Sequence, residues 1–175
     1  MKSPTALATV AATLIALLTI NTQAADLVPV KSQFNADEIK WIQSNGNSSI
    51  SGAAFLQLNE KEQKGCSGFG VELLPVADYS NERILKIYGN NSLGKVLMKN
   101  NPPKFTPDPK EYHELVRKSQ CDEKNQFSFK DLPAGEYYVI FFIIWKNEVG
   151  VDDGGALMKR VSLKAGENAI VQINK

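Results

Sequence analysis

Hydrophobic positions along much of this chain recur at every second residue, and the stretches that carry them are separated by polar turns. Ile50, Gly52, Ala54, Leu56 and Leu58 alternate with Ser51, Ala53, Phe55 and Gln57, which is the period of a β-strand. Residues 59–64 read as a polar hairpin tip, and Val71-Glu72-Leu73-Leu74-Pro75 as the next strand. Pro75 places the end of that strand at an edge or exit, because proline cannot donate to a central ladder. Further on, Phe127 and Phe129 alternate with polar residues, and Asp131-Leu132-Pro133-Ala134-Gly135 reads as a turn. A β-branched and aromatic run follows at 137–145, then loops at 146–150 and 152–155 and two last strands at 158–163 and 169–173. Frequent turn signals without strand–helix alternation predict an all-β fold, an antiparallel β-sandwich.

Two stretches depart from this pattern. Residues 25–47 form a polar N-terminal leader with one amphipathic patch at Ile39-Lys40-Trp41-Ile42. Residues 79–118 form an insertion within a sandwich domain spanning 48–174. It holds a short helix candidate at 82–88, stopped by Gly89-Asn90-Asn91, and a second helix start at Asp108-Pro109. An extended reading also suits residues 115–121. The run at 137–145 is apolar on both faces, with Tyr138, Ile140 and Phe142 opposite Tyr137, Val139 and Phe141. A strand with one wet face would alternate, so this one is expected to be covered on both sides, by the other sheet and by the insertion.

Composition adds a compartment. The chain has 175 residues, with 20 Lys+Arg against 19 Asp+Glu. Lys2 is the sole charge in residues 1–24, where a basic start leads into an apolar run at 6–20 and then Thr22-Gln23-Ala24. This is the layout of a secretory signal peptide, too short for a comfortable membrane span, with an uncleaved anchor as the alternative. Removing it leaves a neutral chain, which argues against nucleic acid as the main partner. Export to the periplasm or the extracellular space also changes how Cys66 and Cys121 read. Two cysteines of one exported domain are expected to pair, rather than to supply a reactive thiol.

The segment from Asp122 to Val139 (DEKNQFSFKDLPAGEYYV) resembles the carboxypeptidase regulatory-like domains, transthyretin-like or Ig-like β-sandwich modules of exported proteins. It carries a turn, then Phe-x-Phe, then Leu-Pro-x-Gly-x-Tyr and an apolar strand. Asn125 stands where such domains usually have glycine, and asparagine tolerates the left-handed conformation needed there. Leu132, Gly135 and Tyr137 look like a tyrosine corner, whose phenol bonds back to the main chain. The resemblance covers most of residues 48–174 outside the insertion. It implies a fold and leaves the function open.

Candidate chemistry is sparse. His113-Glu114-Leu115-Val116-Arg117 lacks the second histidine of a zinc-protease motif, and the chain has one His in all. Asp152-Asp153-Gly154-Gly155 lacks the ligand spacing of a calcium loop. Gly65-Cys66-Ser67-Gly68-Phe69-Gly70 lacks the Lys-Ser/Thr and helix of a phosphate cradle. No catalytic residue, metal or cofactor is therefore expected. Asn47-Ser48-Ser49 and Asn90-Asn91-Ser92 match the acceptor pattern for N-glycosylation. Among the aromatics, Tyr79, Tyr88 and Tyr112 could contact a sugar if they share a surface, with the small core of the insertion as the plainer role. The expectation is an exported, non-catalytic binding or structural module of the cell envelope, with a protein or glycan partner. The first alternative is carbohydrate binding by the insertion aromatics, and the second is an enzyme with an unrecognised site.

Overall fold

The computed structural model describes residues 27–175. The expected signal peptide at 1–24 lies outside the described residues. The strands are β1 (Leu27–Pro29), β2 (Ser48–Gln57), β3 (Gln63–Gly65), β4 (Gly70–Pro75), β5 (Leu93–Leu97), β6 (Lys104–Thr106), β7 (Arg117–Gln120), β8 (Gln126–Leu132), β9 (Gly135–Lys146), β10 (Asp152–Leu163) and β11 (Asn168–Asn174). Two helices interrupt them, α1 (Asp78–Tyr88) and α2 (Lys110–Glu114).

The molecule is a β-sandwich. One sheet has the order β5-β10-β9-β4-β7; in the other, β2 lies between β11 on one side and β3 and β8 on the other. Alternation along the strands builds the core between them. Ile50, Ala54 and Leu56 of β2 face inward with Phe127, Phe129, Val171 and Ile173. They meet Val71, Leu73, Tyr137, Val139, Phe141, Ile143 and Leu157 of the five-stranded sheet. Pro75 is the last residue of β4, an interior strand that it leaves as the chain turns into α1.

The opposite face of β9 is covered at Tyr138 and Ile140 and open at Phe142, so the expected cover on both sides holds for only part of the strand. Tyr138, Ile140, Leu74 and Met158 form a second apolar cluster with Tyr79 and Ile84 of α1, Phe105 and Tyr112 of the insertion, and Val30 and Ile39 of the leader. Helix α1 begins earlier than the periodicity places it because Ser80 secures its first turn. The Ser80 hydroxyl accepts from the Ala77 N–H (2.9 Å) and donates to the Pro75 carbonyl (2.8 Å). It ends at Gly89, whose left-handed φ of 66° closes the turn onto Leu85.

Several local expectations are corrected. The segment 79–118 is not wholly outside the sandwich, since β5 and β7 are the two edges of the five-stranded sheet. These are short segments with little alternation, recruited by backbone pairing to β10 and β4. Residues 152–155 are the first part of β10 rather than a loop, because β9 runs to Lys146 and pairs with Asp152. The 25–47 leader is part of the packing: Ile39 and Ile42 are buried, and β1 pairs with β6. That pair and the β11–β2 pair are parallel, while the other strand pairs are antiparallel.

Candidate functional site

The site residues named from sequence fall into three separate places. Cys66 and Cys121 are joined in a disulfide across a sequence separation of 55. It ties the loop after β3 to the segment between β7 and β8, and closing such a loop contributes ~4 kcal/mol in the chain-entropy picture. Asn125, beside it, adopts a φ of 63° and accepts the Ser67 N–H at 2.9 Å.

Leu132, Gly135 and Tyr137 lie together at the start of β9. The fully buried Tyr137 donates its phenol to the Pro133 carbonyl at 2.6 Å. Burial pushes that phenol up to about 12, against a smaller opposing pull from the Arg117 charge. Gly135 serves close packing here: a Cβ at this position would come within 2.4 Å of the Trp41 ring. That ring packs edge-on against Tyr137 at 5.3 Å, so Trp41 covers the corner. Arg117, which stands where a zinc-protease motif would have its second histidine, is a brace. Its guanidinium donates to the carbonyls of Ile42, Ser44 and Lys130, joining leader and sandwich.

The three tyrosines of the insertion have different fates. Tyr79 is 2% exposed and so is not a surface for ligand contact. Its ring packs edge-on to Phe34 and Tyr112, and its hydroxyl donates to the Pro107 carbonyl at 2.6 Å. The Tyr112 ring is mostly buried at 6% exposure, with the Arg83 guanidinium 4.7 Å from its centre, but unlike Tyr79 it keeps an edge on a cleft. Arg83 is itself buried among Tyr79, Phe105 and Tyr112, and pairs with Asp108. Burial works against the Asp108 charge, but the bonds from Arg83 and His113 outweigh it and hold the carboxyl below its ordinary value. His113 completes this group at 2.7 Å from Asp108 and is otherwise half exposed.

Tyr88 and Tyr112 do come together, in a cleft of about 200 Å³ on the outer face of the five-stranded sheet. Its walls are α1 and α2, and its floor is β4 and β9. Tyr88, Tyr112, Glu72, His113 and Phe142 give the cleft its chemistry, over an apolar base of Ile87 and Ile140. Burial raises both phenols well above the ordinary tyrosine value, at Tyr112 against a smaller opposing pull from the Arg83 charge, so both remain neutral hydrogen-bond donors. Glu72 supplies an acceptor and lies 3.6 Å from Lys118 on the neighbouring strand. Phe142 is 36% exposed where its neighbour two positions back, Ile140, is 8% exposed. The insertion thus covers β9 as far as Ile140 and stops, leaving an aromatic ring open to solvent. Tyr88 is seated by Gly94 of β5, where a Cβ would come within 2.5 Å of the Tyr88 Cβ.

Sequence reasoning did not single out Glu72, and it expected Phe142 to be covered with Tyr138 and Ile140, whereas Phe142 is open. Both carried a signal: Phe142 belongs to the second apolar face of 137–145, and Glu72 interrupts an apolar strand. Register places Glu72 opposite Ile140, on the face the insertion was expected to cover. The two aspartates at 152–153 are occupied locally, Asp152 with Lys146 at 2.7 Å and Asp153 with the Gly154 N–H at 2.7 Å. Among the described residues no three His, Cys, Asp or Glu side chains are grouped to hold a metal ion, and no helix is long and apolar enough to cross a membrane.

No protein-family model matches the chain, and no curated protein matches it. Among solved structures it is similar to a "putative carbohydrate binding protein" from Pseudomonas aeruginosa. That likeness has a TM-score of 0.65 at 20% identity and covers 82% of this chain and 99% of the other. A second similarity, to the minor pilin GBS52 of Streptococcus agalactiae, has a TM-score of 0.35 at 11% identity over 75% of this chain and 44% of that one. At this level of identity the first likeness establishes the β-sandwich fold and leaves the ligand open.

Proposed function

We propose that this protein is an exported, non-catalytic binding module of the cell envelope that holds a carbohydrate unit in the cleft between α1, α2 and β9. The observation that carries the reading is the open ring of Phe142 beside two neutral phenols and the Glu72 carboxylate. A sugar ring has an apolar face and a polar rim. Phe142 and Ile140 suit the face, while Tyr88, Tyr112 and Glu72 suit hydroxyls that both donate and accept. The likeness to the carbohydrate binding protein of Pseudomonas aeruginosa supports the same direction. The signal-peptide layout and the disulfide support export, and the segment Asp122 to Val139 supports membership of the carboxypeptidase regulatory-like sandwiches.

Binding to a glycan array, followed by titration calorimetry on any hit, tests the proposal. Phe142→Ala and Glu72→Gln are each expected to weaken binding about tenfold, equivalent to ~1.4 kcal/mol. Tyr79→Phe, altered behind the cleft, is expected to leave affinity unchanged. A glycan whose affinity ignores both cleft variants, or capture of a protein partner with no glycan bound, would count against the cleft reading.

A further inference from the structure

Strand β11 (Asn168–Asn174) pairs on one side with β2 and forms one edge of its sheet. Its backbone parity is set by bonds at its two ends. Ser49 N–H donates to the Glu167 carbonyl, Lys175 N–H donates to Phe55, and Gln57 N–H donates to Lys175. Odd-numbered residues therefore bond to β2, while Asn168, Ile170, Gln172 and Asn174 turn their N–H and C=O groups away from it.

Edges of this kind are templates for further pairing, and proteins blunt them with charge, proline, bulges or shortness. Other edges among the described residues are blunted. Strand β5 carries Lys95, β7 carries Arg117 and Lys118, β3 is three residues long with Lys64, β8 carries Lys130 and Asp131, and β1 and β6 are three residues each, with Pro29 and Lys104. Strand β11 reads Asn-Ala-Ile-Val-Gln-Ile-Asn across seven residues, with no charge and no proline. Ile170 on it is 76% exposed.

We infer that β11 is a self-association edge, pairing antiparallel with β11 of a second copy about a two-fold axis at Val171. The sequence is self-complementary in that register. Ile170 meets Gln172 of the second copy and Asn168 meets Asn174, each pair exchanging both N–H···O bonds. Glu167, at one end of the strand, falls opposite Lys175 of the second copy, and by symmetry this contact occurs twice. Both residues are odd-numbered, so they form a non-hydrogen-bonded pair whose side chains lie close on one face. Glu167 accepts the Lys164 N–H through one carboxylate oxygen, which leaves the other for the lysine, and Lys175 Nζ, which donates to the Leu93 carbonyl at 3.4 Å, has two further donors to offer it. A two-fold pairing consumes the edge, so assembly stops at two copies. The edge belongs to the sheet opposite the cleft, so the inference stands apart from the carbohydrate reading.

Sedimentation of protein produced in an exporting host tests this across a concentration range reaching about 100 µM. A monomer–dimer equilibrium is expected. Lys175→Glu sets two like-charged contacts across the axis and is expected to weaken the dimer about tenfold. The double variant Glu167→Lys/Lys175→Glu restores opposite charges and is expected to recover it. A measurement on the unaltered chain guards against misfolded variants. Zero-length carbodiimide coupling in a mixture of light and heavy isotope-labelled protein should join Glu167 of one copy to Lys175 of the other. A monomer throughout, open-ended growth, or a dimer whose mixed-isotope cross-links omit this pair would overturn the assignment.

Discussion

Tyr137→Phe isolates one hydrogen bond and gives it a pH signature. The phenol donates at 2.6 Å to Pro133, and the side chain is fully buried. Deleting the hydroxyl leaves that carbonyl without its donor, a loss of ~1–2 kcal/mol near neutral pH. The same burial raises the folded-state value of the phenol from 10.0 to about 12. A group raised on folding contributes fully below its unfolded value, and the contribution is lost as pH rises through the folded one. For Tyr137 that window runs from about pH 10 to 12, and it holds up to ~2–3 kcal/mol. The variant lacks this loss, while the ionisation of Tyr88, Tyr112 and Tyr138 is common to both proteins and cancels in the difference. The wild type should therefore be more stable near neutrality, with the gap closing by about pH 11.5. Urea melts followed by far-ultraviolet circular dichroism, without reductant so that the disulfide persists, measure it. A gap that is constant with pH, or a neutral-pH loss below ~0.5 kcal/mol, would refute the reasoning.

Two further outcomes follow from the packing around α1. Gly94→Ala places a methyl against Tyr88 and is expected to cost ~1–3 kcal/mol in a thermal melt; by shifting the phenol it should also weaken any ligand held in the cleft. Glu82 accepts the Lys31 and Ser32 N–H groups, which lower its carboxyl from 4.5 to about 2 and tie the leader to α1. A depressed carboxyl stabilises above its unfolded value, so the advantage of wild type over Glu82→Gln should shrink as pH falls from 4.5 toward 2, as read by acid titration of the circular dichroism signal.

The core was legible because a half-buried strand writes its burial directly into alternation. Ile50, Ala54 and Leu56 could face one way only, and Tyr137 to Ile143 demanded cover on both sides. The disulfide was legible from the expected export, since two cysteines of a domain expected in an oxidising compartment have few other fates. Short, weakly patterned segments were harder. Leu93–Leu97 and Arg117–Gln120 owe their strand character to partners far away in sequence, so local reading merged them into the insertion. Asp152 and Asp153 looked like a loop because carboxylates and glycines mark turns, and pairing with β9 overrode that preference.

The cleft shows the division most clearly. Composition identified three tyrosines in one segment, but a tyrosine can be either core or surface. Tyr79 became core because its hydroxyl found the Pro107 carbonyl and its ring found Phe34. Tyr88 reached the cleft because Gly94 leaves room beside it. Phe142 became part of a site only because the insertion ends short of it. By itself, the sequence determined the long alternating strands of the sandwich, the faces they bury against each other and that two cysteines would pair. Those properties depend on local periodicity and on redox environment. Which aromatics meet solvent, and which edge stays open, depends on how far one distant segment extends over another, and the tertiary structure alone decides that.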